Sequence, residues 1–390
     1  MAELTTATHG LIRVRREHAH YRVSYAELFF DLVFVFAVTQ LSHGLIENFS
    51  HTGAAQTAFL TLAIWWVWIY TTWAFNWLDP EKLPVRFALL VLMLPGLIMS
   101  ASIPHAFDAT GLGFGVSYAA IQLARTGFVV WAARHHRRIY LNFLRIFVWL
   151  ALAAALWIGG GLAHGAARVA LWAAALGLEF ISPWLGFWVP GIGRSTTTDW
   201  DVEGGHIAER CALFVIIALG ESLLVTGATF ASMPWTPAVA SAMVVSFLSS
   251  GAMWWLYFDT SAEVGSRVIS DSRDPGRIAR LVYTYIHLLL VAGIILAAVG
   301  DEFVLAHPGG HTEPGTMAVI AGGPAFFVLG TWLFKWAIVG RVPVSPLVAL
   351  AALAAIAVAS ADLAPLAVMT AATLVLVVSA VWEGWVRATV

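Results

Sequence analysis

Long apolar runs recur from one end of the chain to the other, separated by short polar segments. A run of about 20 apolar residues is long enough to cross the hydrocarbon layer of a membrane as a helix. A helix also satisfies its backbone hydrogen bonds within the segment, as the lipid interior requires. We therefore predict an all-α polytopic membrane protein with about twelve spans. They are approximately 25–46, 54–78, 86–103, 113–133, 139–162, 165–189, 205–230, 236–258, 277–299, 315–339, 345–361 and 363–385.

Composition supports this class and excludes others. Hydrophobic residues make up 60% of the 390 residues and charged residues only 11%, against about 25% charged residues in soluble domains. The single cysteine, Cys211, excludes an intramolecular disulfide. The chain carries neither a glycine-rich phosphate loop nor a nucleophile elbow, and we expect no cofactor.

The distribution of Lys and Arg predicts the orientation. With the N-terminus inside, Arg168 is the one basic residue assigned to an outside loop. Because positive charge favours the cytoplasmic side, both termini are predicted to lie on the cytoplasmic side of the cell membrane. Residues 1–24 then form a basic cytoplasmic arm, and the acidic loop 301–313, which begins at Asp301, faces outside.

The two halves of the chain resemble each other. Glu27 and Glu209 each follow an alanine and open an apolar helix, and Trp65-Trp66 has a counterpart in Trp254-Trp255 about half a chain later. Repeats of six spans run in the same direction across the membrane. The sequence therefore predicts two parallel six-helix repeats, 25–190 and 205–390, joined by a cytoplasmic linker at 191–204.

The first span carries unusual polar residues: Glu27 and Asp31 near its start, and Gln40 and His43 near its end. An acid at the centre of a membrane helix costs roughly 2.5 to 3.5 kcal/mol by insertion scales, so such residues are rare unless they are paired or functional. Two interpretations stay open, an ion-pair cluster that locks helices together and a proton- or cation-coupled site. The candidate cations for the ion pairs are Arg86, Arg125 and Arg145.

Glu221 is the sharper functional candidate, because it lies deep in the seventh span between Gly220 and Gly227. Glycines there would let another backbone or a ligand approach closely. Arg210 lies about 16 Å away along the helix, too far to pair. Both a functional and a structural role stay open for Glu221.

The remaining candidates fall into two groups. His287 and Glu179 are membrane-embedded residues for which function is one option. Cap or ion-pair roles are expected for His206, Glu209, Arg210, Arg280 and Lys335. No His, Asp or Glu spacing is typical of a metal site.

Two long motifs, AELFFDLVFVFAVTQLSH in the first span and HIAERCALFVIIALGES in the seventh, resemble the bacterial low-temperature-requirement A (LtrA) family. The resemblance implies a multi-pass membrane protein but supplies no molecular activity. The first span is also similar to the first helix of transmembrane-175-type potassium channels, with Phe30 in place of a serine. The matching helix of the second half has Leu213 where those channels need an aspartate.

These observations favour an ion or small-solute transporter or channel. The alternatives are an intramembrane or lipid-modifying enzyme, and a non-catalytic envelope-stress or cold-adaptation factor. We expect membrane lipids and a small cation, proton or small solute as partners, expect no nucleic acid, and keep a homodimer open.

The orientation can be tested with single cysteines at positions 136 and 307 in a Cys211→Ala background. An impermeant thiol reagent applied to intact cells should label position 307 and spare position 136. Labelling at 136 rather than 307 would reverse the predicted topology.

Overall fold

The computed structural model describes residues 10–13, 22–196, 202–259, 263–270, 272, 275–340, 343–360 and 362–388. Within these ranges the ordered structure is helical, and the β-pairing there is limited to two isolated bridges, Ile12 with Leu78 and Val189 with Gly193. Most of the predicted arm 1–24 and part of the predicted linker 191–204 lie outside the described residues.

Six long helices occupy the first half of the chain. A 3₁₀ turn at Ile103–His105 follows the third of them. They are α1 (Tyr25–Glu47), α2 (His51–Asn76), α3 (Leu83–Ala101), α4 (Gly111–Ala132), α5 (Arg137–Leu162) and α6 (Gly165–Ile181).

Seven helices follow in the second half. A short turn of α-helix at Pro275–Ile278 and a π-helical segment at Ala279–Ile286 lead directly into the tenth helix. The helices are α7 (Gly204–Ser232), α8 (Pro237–Tyr257), α9 (Glu263–Ser270), α10 (His287–Ala306), α11 (Pro314–Val339), α12 (Val344–Ala359) and α13 (Pro365–Ala388).

Contacts divide the chain into two compact units. Unit 1 comprises Met1–Gln40, Phe59–Ile207 and Arg273–Arg277; unit 2 comprises Leu41–Ala58, Ala208–Ser272 and Ile278–Val390. The limits between the units fall inside α1, α2 and α7, because these helices contribute residues to both. The predicted repeats at 25–190 and 205–390 stay a prediction.

The described residues contain nine helices that are long and apolar enough to cross a membrane. Three further helices, α4, α6 and α12, overlap the predicted spans at 113–133, 165–189 and 345–361, although α6 ends at Ile181, eight residues before the predicted end. The protein is therefore an all-α, multi-pass membrane protein, as the apolar runs predict. The exact number of twelve crossings remains a prediction.

Local sequence signals mark several helix ends. Thr236 precedes α8 and accepts a hydrogen bond from the amide of Val239, and Pro237 occupies the first turn. Proline suits that turn because its missing N–H would have no partner within the helix. Helix α11 ends at Gly340, whose φ of 70° is a left-handed conformation that glycine adopts without strain.

Glycines bring the backbones of α4 and α5 together in unit 1. A Cβ added to Gly115 would lie 2.4 Å from the carbonyl oxygen of Trp157, and one added to Gly161 would lie 3.0 Å from the carbonyl oxygen of Gly111. Small residues at such contacts allow membrane helices to pack closely, which increases their van der Waals contact.

Glycines also bring the backbones of α10 and α11 together in unit 2. A Cβ on Gly293 would lie 2.7 Å from the amide nitrogen of Phe327, and one on Gly323 would lie 2.6 Å from the amide nitrogen of Ala297. The two backbones therefore touch along this stretch, and the neighbouring Asp301 is held close to α11.

This packing predicts a position-specific effect of adding one methyl group. Gly323→Ala should lower the free energy of unfolding by about 1 to 3 kcal/mol, the usual range for overpacking. Gly322→Ala is the matched control, because a Cβ there meets no atom within 4 Å. Melting temperatures in one detergent would compare them. Equal melting temperatures for the two variants would contradict the tight α10–α11 contact.

Candidate functional site

Glu27 caps the N-terminus of α1. Its Oε2 accepts hydrogen bonds from the amide and the hydroxyl of Ser24, at 3.0 and 2.9 Å, and its own amide donates to the Ser24 hydroxyl at 3.3 Å. This reciprocal pattern is a capping box, which satisfies two backbone N–H groups that the helix leaves open. The first acid of the sequence motif therefore has a structural function at the N-terminus of α1.

The other Glu27 oxygen, Oε1, lies 3.0 Å from Nε2 of His206, and both side chains are fully buried in unit 1. The side chain of Asn76 pairs with the backbone of Glu203, accepting from its N–H and donating to its carbonyl, both at 2.9 Å. The second N–H of that amide faces Nδ1 of His206 at 3.3 Å.

This chain of contacts assigns the histidine tautomer. Because Asn76 presents an N–H to Nδ1, that nitrogen accepts, and the proton lies on Nε2, which faces Oε1 of Glu27. The sequence placed His206 in an interfacial cluster with Glu209 and Arg210. The structure instead connects it to the start of α1 and, through Asn76, to the end of α2.

Asp31 lies one turn beyond Glu27 and is also fully buried. The indole N–H of Trp68 donates to its Oδ1 at 2.8 Å. Sequence reasoning did not single out Trp68 as a partner, because nothing in the spacing of α1 and α2 fixes which faces meet.

The three arginines predicted to neutralise these acids lie elsewhere. Arg86 pairs with the exposed Glu81. Arg125 donates to the carbonyl of Val67 and the hydroxyl of Thr71, at 3.3 Å each. Arg145 likewise binds backbone and hydroxyl oxygens, those of Ile192 and Ser195. Arg125 and Arg145 thus use backbone carbonyls and hydroxyls as acceptors, in place of the Glu27 and Asp31 carboxylates that the sequence suggested as partners.

Glu179 is enclosed by three neutral donors in unit 1. Oε2 accepts from the Tyr118 hydroxyl and the Gln122 amide, both at 2.8 Å, and Oε1 accepts from the Trp157 indole at 2.9 Å. The carboxyl group is buried, and no basic side chain within the described residues forms an ion pair with it. The α4–α5 glycine contact brings these donors together, so Glu179 functions as the polar centre of that helix packing.

His287 begins α10 in unit 2. Its Nδ1 lies 2.9 Å from the carbonyl of Val282, five residues earlier at the π-helical segment, and its Nε2 lies 2.8 Å from the Tyr257 hydroxyl. A carbonyl can only accept, so Nδ1 carries the proton and Nε2 accepts from the tyrosine. Both ring nitrogens are therefore occupied, which favours a packing role for His287.

Asp301 is a buried acid that sequence reasoning assigned to an outer loop. Helix α10 continues to Ala306, five residues beyond the acid, so Asp301 lies on a helix, with 3% of its surface exposed. Its hydrogen-bond donors are hydroxyls: Ser222 and Thr226 of α7 each lie 3.5 Å from Oδ2, and the hydroxyl of Ser246 on α8 also approaches the carboxyl group. The i, i+4 spacing of Ser222 and Thr226 places both hydroxyls on one face of α7.

A small cavity adjoins Asp301. Its volume is about 10 Å³, roughly the space that one water molecule requires. Ser249 and Thr373 contribute polar side chains to its wall, and Ile320 and Pro324 contribute α11. All of these residues belong to unit 2. The arrangement combines a single carboxyl group, hydroxyls and a space of molecular size within a bundle of membrane helices.

The other candidates are dispersed. Glu221 is half-buried one residue before Ser222, and a Cβ on Gly220 or Gly227 would meet no atom within 4 Å, so the expected close backbone approach is absent there. Gln40, Glu209 and Arg280 are partly exposed, and His43 is exposed, whereas Arg210 is buried.

Lys335 contacts Glu383, which also accepts from the hydroxyl of Ser345. The sequence predicted a cap or ion-pair role for Lys335 without naming its partner. Across the described part of the chain, no group of three or more His, Cys, Asp or Glu residues could hold a metal ion.

Comparison with known proteins places the chain among its relatives. Residues 22–381 match the family model described as bacterial low temperature requirement A protein (LtrA). The chain belongs to the LtrA family. An uncharacterized protein from Rhizobium meliloti (strain 1021) is 40% identical over 369 residues, covering 93% of this chain and 89% of that relative. No solved structure matches the chain significantly.

Family membership confirms the resemblance carried by the two motifs, and the structure assigns those motifs partly structural functions. The LtrA motif of the first span supplies the Glu27 cap, and the motif of the seventh span supplies both His206 and Ser222. Ser222 and Thr226 could have been noticed as hydroxyls one turn apart in the seventh span. Asp301 could have been noticed only by extending the ninth span past residue 299.

The Glu179 centre predicts a difference between two substitutions. Glu179→Leu removes the acceptor for three buried donors, and each stranded donor costs about 1 to 3 kcal/mol. Glu179→Gln keeps an oxygen for Trp157, and the Tyr118 hydroxyl can rotate to accept from the new amide. We expect the leucine variant to melt far below the glutamine variant in the same detergent. Equal melting temperatures would show that these hydrogen bonds do not stabilise unit 1.

Proposed function

We propose that this LtrA protein moves a small cation, or a small solute together with one, across the cytoplasmic membrane. The observation that carries the proposal is Asp301, a buried carboxyl group beside a water-sized cavity, with hydroxyls as its nearest donors. We also propose that both termini lie in the cytoplasm, which the distribution of Lys and Arg supports.

The contrast with the other buried acids supports a functional role for Asp301. Glu27, Asp31 and Glu179 each accept short hydrogen bonds, between 2.8 and 3.0 Å, from fixed protein donors. Asp301 has hydroxyl contacts of 3.5 Å, beyond the usual range of about 2.5 to 3.0 Å for O–H···O bonds. Its oxygens therefore retain capacity to bind something that the protein does not supply.

The cost of placing a carboxyl group within membrane helices also supports a functional role for Asp301. A carboxyl group within membrane helices is costly and is typically associated with substrate paths, ion paths or proton relays. Among the described residues no basic side chain forms an ion pair with Asp301, so a purely structural salt bridge does not account for it. A bound cation or a proton would supply the missing positive charge.

A flux assay tests the proposal. Purified protein in liposomes, assayed with Na⁺, K⁺, Li⁺ and proton gradients, should show flux above that of protein-free liposomes. Asp301→Asn should reduce this flux to the protein-free rate, because the amide cannot carry the negative charge that attracts a cation. Asp362→Asn, which changes an exposed carboxylate, is the control and should retain flux.

Glu221→Gln belongs in the same experiment, since Glu221 remains the candidate that the sequence favours. Loss of flux in Glu221→Gln with normal flux in Asp301→Asn would assign the proposed function to the other acid. Absence of flux with every ion in the panel would overturn the transport proposal itself.

A further inference from the structure

We propose that the Asp301 cavity is a binding site for one dehydrated monovalent cation of the sodium class. The inference rests on the proposed function in taking Asp301 as the ion-binding group, and it names the ion. The hydroxyl set consists of Ser222 and Thr226, which approach Asp301, and Ser249 and Thr373, which line the cavity with it.

The hydroxyl set departs from the usual behaviour of Ser and Thr in membrane helices. Such hydroxyls commonly donate to the carbonyl one turn earlier. In this chain Thr71, Ser100 and Thr370 do so, at 2.8, 2.9 and 2.6 Å. Within the described residues, no member of the hydroxyl set makes such a bond. Their oxygens therefore remain available to Asp301 and to the cavity.

The spacing of the oxygens suits a shared cation. The Asp301 oxygen lies 3.5 Å from the hydroxyl oxygens of both Ser222 and Thr226, which is long for hydrogen bonds. Oxygens that coordinate one cation of calcium's size at about 2.4 Å stand about 3.4 Å apart when they are at right angles. Sodium has nearly the radius of calcium, so the observed spacing is that of neighbouring ligands.

The charge of the site selects a monovalent ion. Asp301 is the one charged residue in the cavity wall, so a single positive charge balances it. Hard oxygen donors suit alkali and alkaline-earth ions, whereas transition metals favour imidazole or thiolate, and the wall contains neither. Calcium sites in proteins draw on several carboxylates, which this wall does not contain.

Helix α11 offers a further oxygen. Pro324 lies inside the helix and has no N–H, so it cannot bond to the carbonyl of Ile320 one turn earlier. Both residues line the cavity. Gly300 lies next to the α11 backbone, since a Cβ there would be in ordinary contact with the Cα of Ile320 at 3.4 Å. The carbonyl of Ile320 thus lacks its usual helical donor, on a residue that lines the cavity together with Asp301.

The volume of the cavity argues for a dehydrated ion. About 10 Å³ accommodates a body of the size of one water molecule. A hydrated ion or an organic solute exceeds that space. The hydroxyl set and the carboxylate would then replace the hydration shell of the ion, as protein oxygens do in selective ion sites.

Sodium-dependent thermal stability of the purified full-length protein tests this site without requiring transport. Melting temperature in detergent is measured in NaCl, KCl and choline chloride at equal ionic strength. Sodium at about ten times its dissociation constant should raise the melting temperature by about 2 °C over choline. Potassium should have a smaller effect, because the ion is larger than the cavity allows. Direct binding of radioactive ²²Na⁺ should give one ion per chain.

Variants separate a sodium site from a proton site. Asp301→Asn should abolish the sodium effect, and Thr373→Val should weaken the affinity for sodium by about tenfold, the consequence of losing one ligand worth about 1.4 kcal/mol. Thr370→Val is the matched control on the same helix, because that hydroxyl bonds to the carbonyl of Leu366. It should keep the full sodium effect. A proton binds to the carboxylate alone, so proton binding would not change in Thr373→Val.

The outcomes are distinct. No sodium effect in the wild-type protein, or a full sodium effect in both Asp301→Asn and Thr373→Val, overturns the site. Saturable sodium binding in a protein that shows no flux leaves the site standing and overturns the proposed function. Flux of another ion without any sodium effect overturns the site and leaves the transport proposal standing.

Discussion

Every polar group that enters a membrane helix bundle must be satisfied there, because lipid provides neither water nor counter-ions. Much of this structure follows from how four buried acids meet that constraint. Glu27 receives donors from its own helix start and contacts the ring of His206, and Asp31 receives the Trp68 indole. Glu179 receives an indole, a phenol and an amide. Asp301 meets it least completely, and that difference is the basis for assigning it the functional role.

Close backbone contact makes these arrangements possible. The α4–α5 contact in unit 1 brings Tyr118, Gln122 and Trp157 to one carboxyl group. The α10–α11 contact in unit 2 brings Asp301 beside the proline-interrupted part of α11. In both units glycine permits the helices to touch, and a polar centre lies at the contact. Packing and polar chemistry are therefore coupled, so substitutions at these glycines should disturb both.

The two buried histidines show how backbone groups set the chemistry of a side chain. His206 accepts at Nδ1 because Asn76 is itself held by the backbone of Glu203, and its Nε2 faces Glu27. His287 has the opposite tautomer, because Nδ1 faces a carbonyl at the π-helical segment. Each ring has one orientation and one proton position, which suits a structural role for both.

The amino-acid sequence by itself determined the class of this protein. The apolar runs require membrane helices whatever their neighbours, and the two long motifs determine the LtrA family. The sequence also predicted that Glu27, Asp31 and Glu179 lie within membrane spans, because that assignment depends only on position along one apolar run. It could not name Trp68, Tyr118 or Asn76 as partners, since any of twelve helices could have presented a donor.

Tertiary structure decided the site. Ser222 and Thr226 become relevant only when α7 places them opposite Asp301, and Thr373 only when α13 reaches the same cavity. Asp301 itself was misassigned because hydropathy falls at an acid, so the predicted span stopped short, whereas the helix continues to Ala306. Sequence patterns describe the properties of a single helix. The arrangement of hydroxyls from several helices around one carboxyl group depends instead on contacts between residues far apart in the chain.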